Sequence, residues 1–372
     1  MFTNMMRSLP LRLDALPWAH LALPLTATED AVARLDERLR GSIIRDGWTA
    51  RTHFADTISS LALDGELVQL DDLVLHDSRL DVRAPSPELT CAHALLRLRR
   101  RIAGMDPQSA ATAAGIAALI GRRYLIDDDS PTRADGETNE ASAELDRDDG
   151  DAWATTLATV DAVLARTDRL LAQPALGAPP LPGSLVRRHD PDRGARLARW
   201  IATVEDTDTL PPVLAAARAL VAWDQLDPLP DDAGLGRLLA GNLLRARGKT
   251  TSHLAAISLG LRTVQPERRR HRDPVVRLLA VVDAIAAAAA RGLKDHDRRL
   301  TAREALLRRI GKRRGNSKLP KLVELVIAAP LVTTDMIATE LSVTHRAALD
   351  MIAILDLREV TGRGRYRAWS IT

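Results

Sequence analysis

The residues best suited to chemistry on a partner are cations near the C-terminal end: Arg346 beside Thr344 and His345, then Arg363, Arg365 and Arg367 around Gly362 and Gly364. A guanidinium is a planar fork of donors that fits a phosphate or the major-groove edge of a guanine. Arg313, Arg314 and Lys318 stand just upstream, in the run RRIGKRRGNSK from Arg308 to Lys318. Together they could neutralise the phosphates of double-stranded DNA and release its condensed counterions. The run also reads as a solvated linker.

Other chemistry finds little footing. The nine histidines are scattered, without H-E-x-x-H spacing, and the single Cys91 excludes both a disulfide within the chain and a Cys-based zinc site. No metal or cofactor is expected. Gly248-Lys249-Thr250 carries the tail of a phosphate-binding loop, but the upstream glycine falls at 241 instead of 243 and no strand precedes it, so it reads as a helix C-cap. No G-x-S-x-G elbow occurs, and no catalytic residue is assigned. His76, Asp77 and His253 read as helix-end or surface residues.

Arginines act on a duplex only if rigid elements aim them. Residues 316–329 predict a first helix stopped by Pro330, and Thr333 or Thr334 caps a short second one to Leu341. Ser342-Val343 is the turn. Thr344 caps a third helix, His345 to Leu355, with Ala348, Leu349, Ile352 and Leu355 expected on its core face. Glu359-Val360-Thr361 and Tyr366 to Ile371 are β-prone and flank the basic glycine tip, as in a hairpin. Three helices and a basic hairpin predict a winged helix-turn-helix, with the third helix in the major groove and the wing near phosphates. Such modules also serve protein–protein contact.

The rest of the chain must carry this module. Aromatics make up only 3% of the 372 residues, and the Ala- and Leu-rich remainder favours a mainly α fold. A formal net charge of +3 conceals segregation: residues 262–372 hold 23 Lys and Arg against 12 Asp and Glu, and residues 1–261 hold 29 against 37. The expected organisation is an N-terminal helical region (1–126), an acidic flexible loop (127–151), a helical core (152–262), a basic helical linker (263–315) and the winged module (316–372). Pro174 to Ser184 adds a Pro/Gly-rich connector. Two helices in the linker, Pro274–Arg291 and Thr301–Ile310, could carry a homodimer contact. The N-terminus has no signal-peptide core and the most apolar run is broken by Arg277 and Asp283, which together with the lone cysteine points to the cytoplasm and no membrane partner.

Residues Ala195 to Ser258 contain LPPVLAAARALVAWDQLDPLPDDAGLGRLLAGNLLRARG, which resembles the core of Fic-domain proteins. That family transfers AMP from ATP to a protein hydroxyl. Pro211-Pro212, Trp223 and the run from Gly236 to Leu239 fall in register. The catalytic groups do not: Asp227 stands where the family has its base histidine, Asp232-Ala233-Gly234 replaces the glycine-rich anion nest, and the first motif arginine is missing, leaving Arg237. A carboxylate beside a triphosphate repels it, so the resemblance implies an inactive scaffold. Ser60-Leu61-Ala62-Leu63-Asp64-Gly65 resembles the family's inhibitory-helix motif with Asp for Glu, and reads equally as a helix ending at glycine. Nearly the full length is also similar to a bacterial, often plasmid-borne family that joins a domain of unknown function to a C-terminal helix-turn-helix. SSLALDGELVQLDDLVLHD and the final LVTTDMIATELSVTHRAALDMIAILDLREVTGRGRYRAW carry that likeness. It implies a DNA-binding transcriptional regulator with no known reaction. Two other classes stay open: a diverged nucleotidyl or phosphoryl transferase using Asp227, Asp231 and Asp232 with a metal, and a protein-interaction adaptor.

Overall fold

The computed structural model describes residues 16–80, 84–125, 192–230, 232–311, 318–361 and 367–371. The expected acidic loop, the Pro/Gly connector, Asp231, Arg313, Arg314, Arg363 and Arg365 lie outside them. The body is helical: α1 (Trp18–Arg40), α2 (Arg45–Asp64), α3 (Leu70–Asp77), α4 (Pro87–Gly104), α5 (Pro107–Ala110), α6 (Ala113–Leu125), α7 (Arg193–Glu205), α8 (Pro212–Leu226), α9 (Ala233–Ala246), α10 (Ile257–Leu261), α11 (Pro266–Arg269) and α12 (Pro274–Ile310). None of the described helices is long and apolar enough to cross a membrane.

Local signals set many of these ends. Ser86 accepts from the Leu89 amide at 3.2 Å to cap α4, and Gly65 ends α2 with φ +91°. Gly248, with φ +68°, follows α9 and lets the Lys249 amide return to the Leu244 carbonyl at 2.8 Å, the expected C-cap.

Helix α8 lies at the centre because it is apolar on every side, from Val213 to Trp223, apart from Arg218. Leu214, Ala217 and Leu220 join one core with α1, α10 and α12, while Ala215, Ala219 and Trp223 join a second with α2, α4, α7 and α9. At the seam, the Asp56 carboxylate of α2 is fully buried against Arg99 of α4 (2.6 Å) and accepts from the Leu259 amide (2.9 Å). Removing either charge would strand the other away from water.

Pro274 to Ile310 is one helix of 37 residues, where two helices in a linker were expected. No proline interrupts the middle. Gly292 sits inside the helix because Leu35 and Trp48 pack where a Cβ would lie, and the Trp48 indole donates to the Gly292 carbonyl at 3.1 Å. Ala280, Ala284, Ala288 and Ala289 are buried within the chain's own core. At Gly260 a Cβ would stand 1.9 Å from the Ala284 carbonyl oxygen, so α10 lies directly against α12. The side of α12 that carries these alanines is therefore covered within the chain itself.

His253, read as a helix-end or surface residue, is buried. Its Nδ1 lies 3.2 Å from Asp36, and its ring meets Trp48 edge-on at 5.5 Å. The buried Asp36 also accepts from the Thr251 and Ser252 amides, and these bonds hold its carboxyl well below the usual carboxylate range against the opposing effect of burial. Periodicity sees neither contact, because the partners are more than 200 positions apart.

Candidate nucleic-acid interface

The C-terminal module comprises α13 (Leu319–Ala328), β1 (Val332–Thr333), α14 (Thr334–Leu341), α15 (His345–Leu355), β2 (Arg358–Glu359) and β3 (Ala368–Ser370). Thr333 caps α14 by accepting from the Met336 amide, and Thr344 caps α15 from the Ala347 amide, both at 3.2 Å. Ser342 takes the turn with φ +50°. Leu322, Val326, Ile337, Ala348, Ile352, Leu355 and Trp369 close a core beneath. Leu349 does not join it, being 43% exposed, and Met351 is buried in its place. Position 349 is one step, about 100° of helix, from Ala348, which turns it off the core face.

Three strands form where a two-stranded hairpin was expected. The sheet order is β1-β3-β2, antiparallel throughout, with Val332 opposite Trp369 and Glu359 opposite Trp369 on the other side. The short lead between α13 and α14 supplies the extra strand. Its two residues were too few to show alternation.

The sequence-predicted contacts divide into free and committed groups. His345 and Arg346 are exposed at the start of α15; His345 Nδ1 lies 3.3 Å from Asp335, and Arg346 has no hydrogen-bond or ion-pair partner among the described residues. Leu349 and Asp350 continue the same outward face. Thr344 is exposed but its oxygen is engaged in the cap. Arg367 forks onto Glu359 at 2.9 and 2.6 Å and stacks 5.3 Å over the Trp369 ring, bracing the base of the wing. Lys318 is not free for phosphate: its ammonium donates to the carbonyls of Leu341 and Ser342 at 2.6 and 2.9 Å.

Lys318 belongs to a pattern that sequence inspection missed. Each helix of the module exposes carbonyls at its C-terminal end, and each receives a cation there. Arg51 of α2 donates to Val326 and Ile327 of α13 at 2.6 and 2.7 Å; Lys318 serves α14; Arg309 of α12 donates to Leu355 of α15 at 2.7 Å. Arg303 adds a forked bond from α12 to Glu324 of α13, with closest approach 2.6 Å. Leu306 and Ile310, from the end of α12, lie in the module's own core. The helix is thus a splint between the body and α15. The sequence signal for this is a pair of arginines, Arg308 and Arg309, in the last turn of an amphipathic helix.

The residues of the Fic resemblance also meet. The Arg237 guanidinium, almost wholly buried, donates to Ser60 Oγ at 3.0 and 2.8 Å and to both carboxylate oxygens of Asp64. Asp232 accepts from the Leu235 amide at 3.3 Å to cap α9, and Asp227 ends α8 in the left-handed region. At Gly236 a Cβ would lie 2.4 Å from the Trp223 indole, so this glycine serves close packing. Among the described residues no three His, Cys, Asp or Glu side chains gather as metal ligands.

Comparison with known proteins agrees with this division. Residues 185–311 match a family described as "Protein of unknown function (DUF1612)", and residues 319–372 match one described as "HTH DNA binding domain". The uncharacterized protein y4cF of Sinorhizobium fredii is 42% identical over 354 residues, spanning 91% of this chain and 93% of that protein. A crystal structure of a Fic family protein from Desulfovibrio desulfuricans G20 is similar at 14% identity, with a TM-score of 0.49 over 98% of each chain.

Proposed function

This chain belongs to the family of the uncharacterized protein y4cF, with a DUF1612 domain followed by a helix-turn-helix DNA-binding domain, and from that premise we propose that it is a cytoplasmic transcriptional regulator acting on double-stranded DNA. The observation that carries the proposal is the outward face of α15. His345, Arg346, Leu349 and Asp350 stand exposed on a helix capped at one end by Thr344 and clamped at the other by Arg309. In the major groove Arg346 would fork onto a guanine, and Leu349 would pack on a thymine methyl. Arg363 and Arg365, expected from the sequence near the tip of a wing, and Arg313 and Arg314 upstream would contact phosphate, while Arg367 would brace the sheet and Thr344 would offer its hydroxyl to the backbone.

The body serves in this reading as a catalytically inactive scaffold. Arg237, the remaining motif arginine, is occupied by Ser60 and Asp64, and Asp232 is spent on a helix cap. A basic group already paired within the fold is a poor clamp for phosphate.

Fluorescence anisotropy with duplexes from the flanking genomic region tests the proposal. Binding should weaken steeply with salt, with a slope near −0.9 per phosphate neutralised. Absence of binding, or binding insensitive to salt, refutes it. Transfer of label from ATP to protein in the presence of Mg²⁺ or Mn²⁺ would instead favour an enzyme.

A further inference from the structure

Away from the Arg237 pocket, a cleft of about 500 Å³ opens where α2, α10 and α12 meet the start of the module. Arg51, Arg262, Arg291 and Arg299 line it together with Ser59 and Thr263, and its apolar wall includes Ile58, Leu70, Leu259 and Pro330. Among the described residues no carboxylate lines it. It shares no lining residue with the Arg237, Ser60 and Asp64 cluster. We propose that this cleft binds a small phosphorylated molecule carrying two or more phosphate charges and an apolar ring.

Four like charges converging on one concavity oppose folding unless something offsets them. Asp295 offers a counter-charge, and it is divided: Arg291, Arg298 and Arg299 approach it at 3.6, 3.5 and 4.0 Å. Arg299 is mostly buried, and its Nε, shielded from solvent, has no partner among the described residues. Burial, with Arg299 close by, pushes Arg51 down to about 9, and burial likewise lowers Arg299. A polyphosphate would relieve this repulsion and give Arg262 and Arg291, both exposed, charge-assisted bonds. The volume lies within the range of sites for ligands of nucleotide size, and a lining that combines apolar side chains with four arginines suits a ring joined to phosphates.

The cleft also touches the module at two points. Pro330 precedes β1, and Arg51 holds the end of α13. On the reading that the module binds DNA, occupancy would change duplex affinity. Ligand and duplex binding are measured separately, so either can fail alone.

Isothermal titration of the full chain with inorganic phosphate, pyrophosphate, ATP, GTP and adenosine tests the site. The expected order places ATP or GTP and pyrophosphate above phosphate, with no uptake of adenosine. The Arg262→Ala/Arg291→Ala double variant removes exposed side chains and should weaken binding by about tenfold or more, whereas Arg34→Ala, outside the cleft, should not. Arg299→Gln provides a second variant, with its melting curve as the check on folding. The proposal is overturned if no phosphorylated probe binds at millimolar concentration, or if the double variant binds as the wild type does. It is equally overturned if the double variant loses only duplex binding, which would make the cleft a DNA-backbone contact.

Discussion

Lowering the pH from 7.5 to 5 should cost this protein about 2 kcal/mol of stability through one side chain, His53. The imidazole lies within α2 and is 8% exposed, and its Nδ1 has no partner among the described residues. Burial, with Arg99 and Arg100 nearby, pushes it down to about 3. In the unfolded chain it titrates near 6.5. Between those values the unfolded chain binds the extra proton, so stability is fully present above pH ~6.5 and falls by about 1.4 kcal/mol per unit toward pH ~3. Asp36 is displaced in the same direction but its contribution is lost only in stronger acid, below the ordinary carboxylate range, whereas Asp224, pushed up to about 6 by burial, opposes His53 in the pH 5 to 7 window and is common to wild type and variant. Urea unfolding at pH 7.5, 6 and 5 measures the effect, comparing wild type with His53→Phe. Whatever its absolute stability, the variant should show a pH dependence flatter by about 2 kcal/mol over that range. Equal slopes would refute the assignment.

Three further outcomes follow from packing and caps. Arg237→Met should cost about 1–3 kcal/mol, because Ser60 and the half-exposed Asp64 lose their shared partner, and a melt unchanged from wild type would contradict the contact. Gly236→Ala sets about 1 kcal/mol of helix propensity in favour against about 1–3 kcal/mol of overpacking on Trp223; packing should win, with lower stability and altered tryptophan fluorescence. Arg309→Ala should speed hydrogen exchange of the amides near the end of α15 while leaving α4 unchanged, and equal protection there would argue against the splint.

The module was the most legible part of the sequence because its signals are local. A capping threonine, a turn and an apolar face at three and four spacing are all contained within the span 333–355, and α15 begins and ends at the expected residues. Even there Leu349 was placed on the wrong side of the helix, since composition could not distinguish it from Met351. What could not be read was the use of individual arginines. Arg51, Arg309 and Arg346 look alike in sequence, yet two close helix ends in the fold and one has no partner among the described residues, a difference decided by partners as many as 276 positions away. The same holds for α12. It was expected as two separate helices, but it is one, and the glycine at 260 that lets α10 lie against its alanines belongs to another helix. The joining of Ser60 and Asp64 to Arg237 was hinted at by two separate resemblances and linked only by the fold.

The central claim is that α15 reads base edges while the wing holds the backbone. Its most direct test is a titration of wild type, Arg346→Ala and Arg363→Ala against a duplex selected by the wild type and against a scrambled duplex. Arg346→Ala should lose about 1–3 kcal/mol on the selected duplex and little on the scrambled one, whereas Arg363→Ala should weaken both alike and reduce the salt slope by about one. Arg346→Ala with undiminished preference for the selected duplex would contradict the account.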